Sequence, residues 1–353
     1  MDGKSGYTLG GYAEPFWAAK TILNESAMPF RGKNGEIAPV RLMYRADELL
    51  SVRSSHLDIV YAEGADYALH GGALFFPQGS GVAAMREDEY YLTEKLEGKS
   101  FPATEGGFIA FSEGSNFHDM QIAVTYRRSD AWEGPIPRCK AGLLPKTTER
   151  LKEKKSLKIV YYGDSITTGS NSSGIFKVPP YAPGWPDMTT GLIALRTGAK
   201  IDAVNTAVGG MTAKWGEENA YERAAAHNPD LLILAFGMND GSGSRAASKE
   251  EFGRRTAAII KTVRDNNPDC EVILVSSMLP NKEVAGFWNM QIEYPEALLA
   301  MEREGIAVAN VTELHEYLLT KKHYFDMTGN NVNHPNDLLA RLYLQTIAAT
   351  LGI

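Results

Sequence analysis

The chain has 353 residues, with 36 lysines and arginines against 43 aspartates and glutamates, a formal charge of −7. Hydrophobic residues make up 44% and charged residues 22%; this excludes a disordered, collagenous or coiled-coil chain, and the length suits about two globular domains. No apolar run approaches the ~20 residues of a membrane span, the acidic balance gives no electrostatic footprint for nucleic acid, and two cysteines, Cys139 and Cys270, exclude a disulfide scaffold or a cysteine-based zinc cage.

The opening stretch, MDGKSGYTLGGYAEPFW, has no apolar core and no cleavage-type ending, so it reads as no signal peptide. Together with the sparse cysteines, this sets the expectation of a cytoplasmic protein. A helix is expected over residues 14–25, with Pro15 tolerated only near its start. Short alternating segments follow at His56–Tyr61, Gly107–Phe111 and Gln121–Tyr126, divided by turn clusters such as Gly32-Lys-Asn-Gly35 and Gly79-Ser-Gly81. Alternation with frequent turns predicts antiparallel β structure, an all-β sandwich of jelly-roll type. Pro135 to Lys155, with three prolines and a charge run, is the natural boundary. It divides a β-sandwich accessory domain, 1–150, from a second domain, 151–353.

Beyond the boundary the texture changes. Strands are predicted at Leu157–Tyr162, Lys200–Val204, Asp230–Phe236, Glu271–Ser276 and Ile306–Asn310, with helices between them. The clearest helix runs from Lys249 to Asn266, opened by Ser248 and Glu251 in capping-box spacing. A last helix, Asn336 to Leu351, ends before Gly352, and Pro335 suits its first position. Near-continuous apolar strands alternating with helices predict an α/β domain whose parallel five-stranded sheet is covered on both faces.

Ligands of open α/β sheets bind outside the C-terminal ends of the strands. The first of these strands runs into Gly163-Asp-Ser-Ile-Thr-Thr-Gly169, which sets Ser165 at that rim. The second exits into Val208-Gly-Gly210, and the third into Gly237-Met-Asn-Asp240. Singly, a serine after a strand is an ordinary cap and a Gly–Gly pair an ordinary turn. Jointly, the Gly–Gly backbone, the Asn239 amide and the Ser165 N–H form a candidate oxyanion hole. A serine hydroxyl also needs a base to take its proton. His334, in Asn330-Asn-Val-Asn-His-Pro-Asn336 beyond the last strand, is the candidate.

These motifs, in this order, resemble those of the SGNH (GDSL-type) serine hydrolase superfamily, over about residues 156–353. The resemblance implies a three-layer α/β/α sandwich of flavodoxin-like strand order. It also implies Ser165 as nucleophile, His334 as general base, and Gly210 and Asn239 as oxyanion donors beside the Ser165 amide. One position departs from the pattern. The family carries Asp three residues before the histidine, and here that residue is Asn331. An amide hydrogen-bonds an imidazole but does not offset an imidazolium charge. Asp326 and Asp337 are the nearby carboxylates; the alternative is a Ser–His dyad with a backbone carbonyl, such as that of Asn331, fixing the ring. Two-domain carbohydrate acetyl esterases with an N-terminal β-sandwich share this layout, and some work with such a dyad.

The expected activity is hydrolysis of a short acyl ester, an O-acetyl group on a sugar or oligosaccharide, with no metal or organic cofactor. Neither nucleic acid nor membrane is an expected partner, and a homo-oligomer is left open. Trp185, Trp215 and Trp288 are candidates to wall a sugar pocket. Two rivals remain: an acyltransferase using the same acyl-enzyme, and a carbohydrate-binding protein with a decayed site, prompted by Asn331.

Overall fold

The computed structural model describes residues 7–243 and 246–353; residues 1–6, part of the opening stretch read above for a leader, lie outside the described residues. In the N-terminal part, strands β1 (Thr21–Ala27), β2 (Glu48–Ser54) and β3 (Ile122–Arg127) form an antiparallel sheet in the order β1-β3-β2. A smaller antiparallel sheet places Phe108–Ala110 between Tyr91–Leu92 and Ser100–Pro102.

Two local expectations are corrected here. The helix over 14–25 is replaced by a single turn at Leu9–Tyr12 and by β1, whose Ile22, Glu25 and Ala27 are buried. The expected strand at 56–61 is interrupted: residues 55–57 form a turn in which Leu57 adopts a left-handed φ of 61°, and Ser54 Oγ donates to Asp58 Oδ1 at 2.7 Å, so that only Ile59–Tyr61 run beside β2, through a single bridge of Val60 with Arg53.

The second part builds a fully parallel sheet from β4 (Leu157–Gly163), β5 (Ile201–Asn205), β6 (Leu231–Ala235), β7 (Glu271–Val275) and β8 (Ile306–Ala309). Their order is β5-β4-β6-β7-β8, with the direction of travel reversing beside β4. This is the 2-1-3-4-5 order of doubly wound sheets. The pleat explains why the strands read as continuous apolar runs. Ile159, Tyr161, Ile233 and Ala307 enter one core, while Val160, Tyr162, Leu232 and Val308 enter a second core on the opposite face. Only the edge strand β5 is largely solvated, and it carries Asp202 and Asn205.

The helices used below are α1 (Pro145–Lys152), α2 (Trp185–Thr197), α3 (Ala213–Glu218), α4 (Lys249–Asn266), α5 (Val311–Leu318) and α6 (Asp337–Leu351). Helices α2 and α6 lie together on one face, where Trp185 stacks on Tyr343 at 5.5 Å between ring centroids. On the other face, Phe252 and Ile259 of α4 join the core around Phe236. Ser248 caps α4 through the Glu251 amide, but the Glu251 carboxylate turns to Arg254 and Arg255, so only half of the capping box forms. Asn336 caps α6, which leaves Pro335 one residue before the cap and not at the first helical position.

One apolar core joins the two parts. It runs from Tyr12, Phe16 and Ile22 through Val124 and Tyr126 to Leu339 and Ile347 of α6. Polar ties cross the same boundary. Glu25, fully buried on β1, accepts from Lys322 Nζ at 2.7 Å and from the Tyr126 hydroxyl at 2.6 Å. The Arg341 guanidinium lies over the rings of Tyr12 and Phe16 at 4.6 and 4.8 Å. No described helix is long and apolar enough to cross a membrane.

Candidate active site

Strand β4 ends on Gly163 for a steric reason. A Cβ there would stand 2.3 Å from the Ala235 carbonyl oxygen and 2.4 Å from Thr167 Oγ1. With the backbone pressed against β6, the chain turns immediately. Asp164 Oδ1 accepts from the Ile166 N–H at 3.0 Å, and Trp185 Nε1 donates to the Ile166 carbonyl at 2.9 Å. Ser165 is therefore presented by a turn clamped on both sides. Burial pushes the Asp164 carboxyl up to about 7, and the nearby Asp240 charge adds to it. Burial likewise raises Asp240 to about 6.

His334 comes from the loop before α6. Asn330 Oδ1 accepts from the N–H groups of Val332, Asn333 and His334, each at 3.0 Å, and Thr328 Oγ1 donates to the His334 carbonyl at 2.9 Å. This brace carries the imidazole to the Ser165 turn, where His334 Nε2 is 2.8 Å from Ser165 Oγ. On the far side of the ring, Nδ1 is 2.5 Å from Asn171 Oδ1. Asn171 Nδ2 donates to the Gly329 carbonyl at 3.3 Å, which leaves its oxygen facing the ring. Nδ1 thus carries the proton, and the Nε2 lone pair meets the serine hydroxyl. A carboxylate stands nearby as well: Glu113 Oε2 is 3.4 Å from Nδ1.

Asn331, expected beside the ring, makes no contact with it. Its Oδ1 accepts from the Tyr90 hydroxyl at 3.0 Å, its Nδ2 donates to the Ala110 carbonyl, and its own carbonyl accepts from Asn281 Nδ2. With a left-handed φ of 69°, it faces away from the imidazole and fastens the loop to the N-terminal part. Neither its amide nor its carbonyl orients His334. Asp326 is buried against Lys322 and the Met28 N–H, and Asp337 accepts from the Ser173 N–H; neither is the ring's partner.

The other sites gather at the same rim. A Cβ on Gly209 would stand 3.7 Å from Ser165 Cβ, so the Gly–Gly turn lies against Ser165. Gly210 adopts a φ of 76°, a conformation suited to glycine. Asn239 Nδ2 donates to the Met211 carbonyl at 3.0 Å, which ties the end of β6 to that turn with one of its two amide protons. Ser165, Gly210, Asn239 and His334 thus come from four segments that converge at the point where the strand order reverses. Asn171 and Glu113 were missed from the sequence. Asn171 lies in a plain Ser-Asn-Ser-Ser loop, and Glu113 arrives from a different part of the chain.

A family model of GDSL-like lipases and acylhydrolases matches residues 161–342, just over half of the chain. The chain belongs to the GDSL-like lipase/acylhydrolase family. No match to it was found among curated proteins. Among solved structures, it is similar to a two-domain esterase active on acetylated mannans, co-crystallised with mannopentaose. The TM-score is 0.48 and the identity 20%, covering 60% of this chain and 53% of that one. The chain therefore spans about half the length of that esterase. It is also similar to an acetylxylan esterase from Geobacillus stearothermophilus, with a TM-score of 0.46 and 16% identity over 56% of this chain and 94% of that one. A lipase/acylhydrolase from Enterococcus faecalis gives a TM-score of 0.41 and 20% identity over 54% and 95%.

Within this family member, the three candidate tryptophans divide. Trp185 is fully buried in the core and Trp215 packs beside Tyr162. Trp288 lines a cavity of about 220 Å³ with Asn281, Lys282 and Glu283, and Lys282 Nζ lies 4.2 Å from the centre of its ring.

Proposed function

We propose that this chain is a serine esterase that removes a short acyl group, an acetyl, from a carbohydrate. The observation that carries the reading is the 2.8 Å approach of Ser165 Oγ to His334 Nε2, with Nδ1 held by Asn171. In this reading the Ser165 proton passes to Nε2 as Oγ attacks the ester carbonyl. The oxygen that gains the charge points toward the Ser165 and Gly210 backbone N–H groups and the Asn239 amide. The imidazolium then protonates the departing alcohol, and water, activated by the same histidine, hydrolyses the acyl-enzyme. No step draws on a metal or organic cofactor.

A small acyl group suits a nucleophile and base that are 6% and 7% exposed. Residues 151–353 carry the nucleophile, base and oxyanion donors. We assign residues 1–150 an accessory role around them.

Turnover of an aryl acetate and an aryl octanoate, with Ser165→Ala alongside, tests the reading. Acetate is expected to turn over faster than octanoate, and the alanine variant to lose at least about a thousandfold in kcat. A Ser165→Ala enzyme as active as the wild type would overturn it.

A further inference from the structure

We propose that Glu113 is the carboxylate partner of His334, so that the N-terminal part of the chain supplies a positioning group to the catalytic centre. The inference rests on the serine-esterase reading and deepens it. During catalysis the imidazole becomes a cation, and Asn171, though well placed to hold Nδ1, is neutral. The Glu113 carboxylate, on the turn that follows Phe108–Ala110, approaches the same nitrogen to 3.4 Å. Its other oxygen accepts from Asn330 Nδ2 at 3.5 Å, and Asn330 is the residue that braces the histidine loop. The carboxylate is thus aimed by the same side chain that aims the ring.

Around the imidazole, Ser165 and Asn171 approach from the loop after β4, Asn330 and Asn333 belong to its own loop, and Glu113 comes from the N-terminal part. Glu113 is the charged member of that set, while Asp164, the neighbour of Ser165, is buried beneath the turn. Burial pushes the Glu113 carboxyl up, but the hydrogen bond and charge of His334 and the Asn330 amide outweigh it and leave the group below its ordinary range. The division of labour follows from chemistry. The Asn171 oxygen fixes tautomer and ring orientation, and Glu113 offsets the positive charge that arises when Ser165 gives up its proton. Because Asn171 keeps the tautomer without help, loss of the carboxylate is expected to cost far less than loss of a triad aspartate that performs both tasks.

The test uses the full chain and two readouts: aryl acetate kinetics across pH, and the rate at which a fluorophosphonate labels Ser165, followed by mass spectrometry. The side chain of Glu113 is 57% exposed, so Glu113→Gln is expected to fold with an unchanged Tm. The variant should lower kcat and slow labelling about tenfold with KM within about twofold. Loss of a charge that favours the protonated enzyme moves the acidic limb of kcat/KM to lower pH. Wild-type rates in Glu113→Gln, or a loss with the acidic limb unmoved, would overturn the role of Glu113 and leave the esterase reading standing. A wild-type chain whose Ser165 takes no label would overturn both.

Discussion

Asp164 shows how the neighbour of Ser165 links the candidate site to stability. Its carboxyl is raised from 3.8 to about 7 in the folded chain, chiefly by burial. Below about pH 4 both states are protonated and the group contributes no pH dependence. Between about pH 4 and pH 7 the unfolded chain loses its proton while the folded chain keeps it, so stability falls as pH rises, by at most about 1.4 kcal/mol per unit. Above pH 7 the effect is level. Asp164→Asn keeps an oxygen for the Ile166 N–H, and its Tm relative to wild type is expected to improve from pH 4 to pH 7 and then stay constant. A difference that does not change with pH in thermal melts would refute this. The Ser165 turn, the Gly–Gly turn, Asn239 and His334 were legible from the residues because each sits at a strand end or helix start that the apolar pattern already places. The partner of the ring was not. Asn331 stands at the expected spacing from His334, but its backbone twist turns it toward Tyr90. Nothing local distinguishes Asn171 from a loop asparagine, and Glu113 meets the ring only through tertiary packing.

At the scale of elements, the start of α6 carries the greatest burden. Asn336 caps the helix by accepting from the Leu339 N–H at 3.2 Å, and its amide donates to Ser26 Oγ, Gln121 Oε1 and the Asp326 carbonyl. An ordinary cap is worth about 1 kcal/mol. Here removal of the side chain also strands the buried Gln121 Oε1, so Asn336→Ala is expected to cost about 2–4 kcal/mol in chemical denaturation. A loss under 1 kcal/mol would show that the amide network is dispensable. The five strands of the parallel sheet were readable because burial on both faces leaves continuous apolar runs. The N-terminal elements were less so. There Leu57 and the bulge between Ile22 and Glu25 override the alternation on which a strand assignment depends.

At the scale of the whole molecule, the two parts share a core and a buried ion pair. Lys322 and Glu25 have no exposed side-chain surface, and the contact joins β1 to the segment after α5. Lys322→Met leaves the Glu25 charge without its partner and is expected to cost about 3–5 kcal/mol, with the chain still unfolding in one transition. Separate melting of the two parts would contradict the shared core. The composition hinted at two domains. It carried no sign that their apolar faces close on each other, because that depends on which side of β3 and α6 meets the other.

The order of these pieces along the chain has a consequence for synthesis. Glu113, Ser165, Gly210 and Asn239 all precede His334, which follows the last strand of the parallel sheet. In the serine-esterase reading, the hydroxyl has no base while the polypeptide grows, and each glycine turn and amide donor is made before the histidine that would activate the serine. In that reading the chain gains its base only after all five strands of the parallel sheet have been synthesised.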